Sequence, residues 1–154
     1  MKETFGILPS GEAASLYTIA CGGLTACITD YGANLVRLFV PDKNGQIADV
    51  VLGYDDCNGY RVTNGAALGA TVGRNSNRLK GASFELNGKT YQIPQNEGTK
   101  NLHSGPDFFF QRMWKVAEVT ETAITLELNS PDGDQGFPGN AVIKVTYSLD
   151  NQGG

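Results

Sequence analysis

The sequence predicts an all-β protein, and three observations lead to that prediction. Apolar and polar residues alternate in several segments, which is the pattern of strands that bury one face. Glycine, proline, asparagine and aspartate separate those segments, as turn residues do. Helical character is confined to one short piece, residues 55–60. Because each strand must bury its apolar face against another layer, we expect two packed sheets, a β-sandwich.

Each predicted strand follows from its own pattern. Residues 24–29 alternate apolar with polar side chains, and residues 34–40 are more continuously apolar and stop at Pro41. Residues 84–93 carry Asn87-Gly88 at their centre, the signal of a hairpin with a type I′ turn. The later predicted strands are residues 114–119, 124–129 and 141–149.

Composition excludes several classes of function. The chain has 154 residues, 40% of them hydrophobic, so we expect residues 1–154 to form one domain around one core. Its formal net charge of −4 offers no basic field for nucleic acid, and no apolar run approaches the length of a membrane span. Three cysteines and one histidine lack metal-site spacing. We therefore expect no metal, and reduced, buried thiols in a cytoplasmic protein.

Two polar segments lie in long connections, which are frequent positions for binding sites on a rigid β scaffold. One is Gly69-Ala-Thr-Val-Gly-Arg-Asn-Ser-Asn-Arg78, within the connection 65–80, and the other is Asn101-Leu-His-Ser-Gly105, within 95–113. Sugar hydroxyls both donate and accept hydrogen bonds, and arginine, asparagine and histidine supply partners for both. These segments predict a surface for a polyhydroxylated ligand.

Other conspicuous residues are assigned structural roles. Arg74 is expected to brace its own loop, and Trp114 to pack inside. Side chains alternate along an extended segment, so at least one of Phe108, Phe109 and Phe110 should be buried. Residues 132–139 have turn chemistry and lack the closing glutamate of a calcium loop.

The motifs resemble those of a known family, the aldose 1-epimerases or galactose mutarotases. Residues 73–79, Gly-Arg-Asn-Ser-Asn-Arg-Leu, are similar to the family motif Gly-Arg-x-x-Asn-Arg-Ile. Residues 101–105 resemble its Asn-x-Leu-His-Gly-Gly, with Ser104 in place of the first glycine. Further landmarks match in the same order: the hairpin at 84–91, Arg112-Met-Trp114 and residues 130–139.

The resemblance implies a β-sandwich of the galactose mutarotase type and a monosaccharide substrate. The implied reaction interconverts the α and β anomers of a free aldohexose such as galactose or glucose through acid–base ring opening, without cofactor or metal. Carried over to this chain, Asn77, Arg78 and His103 bind the sugar, and Arg78 and His103 are also catalytic. Arg78 would offer a planar fork of donors to adjacent hydroxyls, and His103 a ring N–H donor to a hydroxyl or the ring oxygen.

One departure from the family pattern is length. The family's second histidine and its later aspartate and glutamate have no counterpart here, so the resemblance predicts an N-terminal portion that is incomplete and inactive alone. Such a portion should expose strand edges and apolar surface, and should require a missing C-terminal portion or self-associate. Two alternatives stay open: a non-catalytic carbohydrate-binding or interaction module of the same fold, and a sugar-phosphate epimerase relative.

Overall fold

A computed structural model describes residues 1–62 and 66–151, so Gly65, at the start of the connection 65–80, lies outside the described residues. The strands, in chain order, are β1 (Lys2–Ile7), β2 (Ala13–Cys21), β3 (Leu24–Thr29), β4 (Leu35–Pro41), β5 (Ile47–Asp49), β6 (Arg78–Leu79), β7 (Ser83–Leu86), β8 (Lys89–Gln92), β9 (Asn101–Leu102), β10 (Lys115–Val119), β11 (Ala123–Ser130) and β12 (Ala141–Ser148). In the same part of the chain there is one α-helix, α1 (Cys57–Val62), together with three 3₁₀ turns, at Lys80–Ala82, Phe109–Gln111 and Asp134–Gly136. No helix in these ranges is long and apolar enough to cross a membrane.

Two antiparallel sheets form the body of the protein. The first has five strands in the order β1-β2-β3-β4-β5, and the second has three in the order β10-β11-β12. Each strand of these sheets pairs with its neighbour in sequence, including β11 and β12, which are joined by the longer connection 131–140. Two small ladders, β6-β9 and β7-β8, lie outside the sheets.

The main core lies between the two sheets. Ile124, Leu126 and Leu128 on β11 are buried and share one hydrophobic cluster with Ile19 of β2 and Ile28 of β3. Burial of such a side chain stabilises the fold by roughly 1.5–3 kcal/mol. The alternation along β11 therefore points its apolar face at the first sheet, and the prediction of an all-β sandwich is confirmed.

The opposite face of the first sheet is covered as well. Phe5 and Val36 form a second buried cluster with Cys57 and Tyr60 of α1. Gly6, at φ 135°, allows this approach, because a Cβ there would lie 2.7 Å from the sulfur of Cys57. The predicted helical piece is confirmed, displaced by two residues toward the C-terminus, a shift that is common for helix boundaries.

Some strands were outside the sequence-based predictions. No strand was predicted at β1, β2 or β5, and the connections 65–80 and 95–113 were predicted without the short strands β6 and β9. Residues 14–17 of β2 are buried in succession, so this strand lacks the alternation that marks a half-exposed one. By contrast, the hairpin β7-β8 is confirmed, with Asn87 at φ 53° and Gly88 at φ 73°.

The aromatic run packs more completely than predicted. Phe108, Phe109 and Phe110 are all buried, so the minimum of one is exceeded. Trp114 is buried too, and its indole N–H donates to the Phe109 carbonyl at 2.9 Å. The polar loops pack against these rings, which we call the aromatic floor.

Candidate functional site

The short ladder β6-β9 brings the two polar segments together. Arg78 pairs with Leu102, and Leu79 pairs with Asn101. Arg78 on β6 and His103 directly after β9 are therefore neighbours, on and beside short strands rather than in irregular loops.

His103 and Asn77 are joined by two hydrogen bonds. The Asn77 backbone N–H donates to Nδ1 of His103 at 3.0 Å, and the His103 backbone N–H donates to the Asn77 carbonyl at 3.1 Å. Both residues have left-handed backbone, with φ of 64° and 55°. Because Nδ1 accepts a hydrogen bond, a neutral His103 carries its proton on Nε2.

Arg78 is engaged by a carboxylate that the sequence analysis did not single out. Its Nε and Nη2 donate to the two carboxylate oxygens of Glu97 at 2.5 and 2.6 Å. Both side chains are well exposed, at 49% and 38%. The fork that was expected to face sugar hydroxyls is therefore occupied by Glu97, and the remaining nitrogen, Nη1, donates a long hydrogen bond of 3.5 Å to Asn77 Oδ1.

The charges around Glu97 favour its ionised form. Hydrogen bonds from Arg78 lower the pKa of Glu97, and the positive charges of Lys100 and of His103, when protonated, act in the same direction. The surface thus presents a carboxylate acceptor next to arginine and histidine donors. That combination matches the mixed donor and acceptor character of a sugar.

Two buried polar side chains support these residues from below. The Ser104 hydroxyl accepts from the Asn75 N–H at 2.7 Å and donates to the Asn75 carbonyl at 3.0 Å. The fully buried Asn101 accepts from the Ser104 N–H and donates to the carbonyls of Pro94 and Gly105. The two Ser104–Asn75 bonds join segments 29 residues apart, and the three bonds of Asn101 hold residues 94–105 together locally.

Gly73 and Arg74 seat the first polar segment. A Cβ on Gly73 would lie 2.7 Å from the Phe109 ring, so only glycine lets the loop rest on this aromatic floor. Arg74 donates four hydrogen bonds, to the Ser130 hydroxyl and to the carbonyls of Ser130, Pro131 and Pro138. The prediction that Arg74 braces the loop is confirmed.

A second ion pair lies beside Arg74. Arg112 donates from Nη1 and Nη2 to the two carboxylate oxygens of Asp134 at 2.8 and 2.9 Å. These side chains are only 15% and 12% exposed. Hydrogen bonding from Arg112, then from Ser130, lowers the pKa of Asp134 against the opposing effect of burial. The segment predicted as turn chemistry therefore also supplies a partly buried structural carboxylate.

Sequence reasoning missed Glu97 and the roles of Asn101 and Asp134. For Glu97 a signal was present, because it is a charged residue only six positions before His103 in a chain with 18% charged residues. For Asn101 and Asp134 the partners are distant or backbone groups, which no local pattern reveals. In residues 1–62 and 66–151, no group of three or more His, Cys, Asp or Glu side chains could hold a metal ion.

An apolar groove lies elsewhere on the molecule, between the first sheet and the end of β12. Its volume is about 320 Å³. It is lined by Ile19, Leu24, Ala26, Leu35, Leu38, Val40, Tyr147, Ser148 and Leu149. The groove is separate from the polar residues around His103 and has a different chemical character.

Sequence comparison identifies relatives of this chain. The sequence model of the family described as aldose 1-epimerase matches residues 15–154. A probable aldose 1-epimerase of Arthroderma benhamiae is 38% identical over 150 residues, covering 94% of this chain and 34% of that protein. The aldose 1-epimerase of Escherichia coli is 32% identical, covering 97% of this chain and 43% of that protein. The chain thus spans less than half the length of these curated relatives.

Solved structures agree with the sequence comparison. An aldose epimerase homologue from C. elegans superposes with a TM-score of 0.84 at 36% identity, over 90% of this chain and 43% of that one. Galactose 1-epimerase from Lactobacillus acidophilus has a TM-score of 0.80 at 22% identity, over 99% and 45%, and shows the same fold. The strands, the paired polar segments and these similarities lead to one conclusion: the chain belongs to the aldose 1-epimerase family and has the galactose mutarotase type of β-sandwich.

Proposed function

We propose that this chain supplies a sugar-binding surface of an aldose 1-epimerase, an isomerase that interconverts the α and β anomers of a free aldohexose such as galactose or glucose. The observation that carries the proposal is the placement of Asn77, Arg78 and His103 side by side in a chain of this family.

The reaction needs proton transfers at two oxygens. A general base removes the proton of the anomeric hydroxyl, and a general acid protonates the ring oxygen, so the ring opens to an aldehyde and recloses on either face. In this proposal the Nε2–H of His103 donates to a sugar oxygen, and Arg78 stabilises negative charge that develops on an oxygen. Only protons move, so the proposed reaction requires neither cofactor nor metal.

The ion pair supports a neutral sugar over a sugar phosphate. Glu97 offsets the charge of Arg78, and a phosphate approaching Arg78 would meet this carboxylate as well. The net charge of −4 adds to that repulsion. A neutral hexose pays no such electrostatic penalty and can use Glu97 as an acceptor.

A titration with D-galactose followed by backbone amide NMR tests sugar binding. We expect saturable shifts at Asn77, Arg78 and His103, and weaker binding in Arg78→Ala. Arg37→Ala is the matched control, because Arg37 is also ion-paired at the surface but lies on β4. Unsaturable shifts, or equal affinity in both variants, would contradict the proposal.

We also propose that residues 1–154 form the N-terminal part of the family sandwich, with the apolar groove covered by a further part of that fold. The supports are the fraction of each relative that is matched, 43% for the E. coli protein, and the aliphatic lining of the groove. A cysteine placed at Leu38 tests this. It should react with a thiol reagent much more slowly in a longer polypeptide that supplies the rest of the fold than in the 154-residue chain.

Equal labelling rates at position 38 in the two polypeptides would contradict the covering segment. Self-association is the competing explanation for a covered groove. In that case light scattering on the 154-residue chain would show a doubled mass, and position 38 would react slowly without any added segment. Cys21→Ser in both polypeptides removes the native thiol that is partly exposed.

We further propose a cytoplasmic location. Its support is that Cys21, Cys27 and Cys57 are all free thiols, which suits a reducing compartment. Cell fractionation with an antibody to the chain would test it, and recovery in a secreted or membrane fraction would contradict it.

A further inference from the structure

Ser104 connects the two polar segments through its side chain. Its hydroxyl accepts from the Asn75 N–H at 2.7 Å and donates to the Asn75 carbonyl at 3.0 Å. We propose that Ser104 is a positioning residue, whose hydroxyl holds residues 75–77 where Asn77 can donate to Nδ1 of His103. This inference deepens the proposed function and rests on it for its consequence in sugar binding.

Two adjacent residues, His103 and Ser104, hold the same segment. His103 exchanges two hydrogen bonds with Asn77, and Ser104 exchanges two with Asn75. Residues 103 and 104 therefore hold both ends of the segment 75–77, and we call these four hydrogen bonds the clasp. Loss of either pair would let that segment rotate about the remaining one.

The backbone conformation indicates that the hydroxyl is the reason for serine here. Ser104 has φ 57°, a left-handed conformation that L-residues rarely adopt and glycine adopts without strain. Its side chain is also almost completely buried, with 2% of the residue exposed. Burying a strained polar residue is unfavourable unless its hydroxyl is satisfied, and here it is satisfied as both donor and acceptor.

The clasp determines which ring nitrogen of neutral His103 carries the proton. While the Asn77 N–H donates to Nδ1, the imidazole must keep its neutral-form proton on Nε2, the nitrogen left for a ligand. If residues 75–77 move away, Nδ1 loses that donor and the two tautomers become closer in energy. Ser104 thus acts on the ligand-facing nitrogen without being assigned any contact with the sugar.

The test uses Ser104→Ala and Ser104→Gly in the 154-residue chain. Both remove the hydroxyl, but only glycine relieves the left-handed backbone, so the second variant remains folded if the first does not. Ser76→Ala is the matched control. Ser76 is exposed in the same loop, and its backbone carbonyl, not its hydroxyl, accepts a hydrogen bond from the Asn75 side chain.

Hydrogen exchange of the Asn77 amide is the first readout. In both Ser104 variants we expect exchange about tenfold faster or more, with strand β11 amides unchanged and Ser76→Ala like the parent. The second readout is the nitrogen NMR spectrum of His103, the single histidine of the chain, which should shift toward a mixture of tautomers. A purely structural loss would accelerate β11 amides too and leave the tautomer of the folded protein unchanged.

Galactose titrations complete the experiment, with affinity expected to fall about threefold to tenfold in both variants. Asn77 exchange within about twofold of the parent in a folded variant overturns the clasp, whatever the sugar does. If Asn77 exchange and the His103 spectrum change as expected but the parent itself binds no galactose, the clasp stands and the proposed function fails.

Discussion

Two arginine–carboxylate pairs in this protein each have two hydrogen bonds but differ in their surroundings. Arg112–Asp134 and Arg78–Glu97 are both forked pairs, each with two hydrogen bonds between 2.5 and 2.9 Å. The first pair is 15% and 12% exposed, and the second is 49% and 38% exposed. Burial, and not hydrogen-bond geometry, separates a pair that holds loops together from a pair that is available to a ligand.

Hydrogen bonding lowers the pKa of both carboxylates, yet the consequences differ. Arg78 is the main cause for Glu97, and Arg112 is the main cause for Asp134. Water and salt screen the exposed pair, so its contribution to the free energy of unfolding is small. The less exposed pair is better shielded from solvent, so removing Asp134 leaves Arg112 with only the exposed carboxylate of Asp107 as an ionic partner.

The largest effect is expected from Arg78→Ala on catalysis in a longer polypeptide that supplies the rest of the family fold. Losing a charge-assisted donor to a developing oxyanion typically costs about 10²-fold in rate. Polarimetry on freshly dissolved α-galactose would measure the turnover, with Arg37→Ala as the control. Turnover close to that of the parent would show that Arg78, like Arg112, is only structural.

Asp134→Ala should give the largest change in stability. It leaves Arg112 and the Ser130 hydroxyl without their shared acceptor, and we expect a loss of about 2 kcal/mol in the free energy of unfolding. Urea denaturation followed by tryptophan fluorescence, from Trp114, would measure it. Glu97→Ala is the control and should leave the midpoint unchanged, and equal losses in the two variants would remove the distinction between the pairs.

The pH dependence of the free energy of unfolding should reveal the ionised form of Asp134. A carboxylate whose folded pKa is depressed contributes stability above its unfolded pKa, about 3.9 for aspartate, and that stability is lost as pH falls through the folded pKa. Asp134→Asn should therefore flatten the loss of stability below about pH 4. Asp30 has the opposite sign, because burial raises its pKa and its contribution is lost as pH rises. Urea denaturation at several pH values would measure the free energy of unfolding as a function of pH. The same slope against pH in Asp134→Asn and in the parent would contradict the assignment to Asp134.

The smallest effect is expected at the exposed pair. Glu97→Gln frees the Arg78 guanidinium, and we expect galactose 6-phosphate to bind about twofold to threefold better while neutral galactose binds slightly less well. NMR titrations at low and high salt would measure both ligands. Glu118→Gln, an exposed position on β10, is the control. A gain for the phosphate in that control as well would show a net-charge effect in place of a local one.

The sequence by itself determined the class of fold and the members of the candidate site. The alternation of Ile124, Leu126 and Leu128 and the Asn87-Gly88 turn are local patterns, and strand faces and tight turns follow from local geometry. The two motifs also joined Asn77, Arg78 and His103 in one prediction, and the structure places these residues together.

Only the tertiary structure decided how those residues are held. Glu97 is hydrogen-bonded to Arg78, Ser104 to the backbone of Asn75, and Asp134 to Arg112, which is 22 positions away in sequence. No period or motif encodes these choices, because a hydrogen-bond partner depends on which chain segments packing brings within about 3 Å. Burial is decided in the same way. It made Asp134 structural and left Glu97 at the surface, although each carboxylate accepts two hydrogen bonds from its arginine.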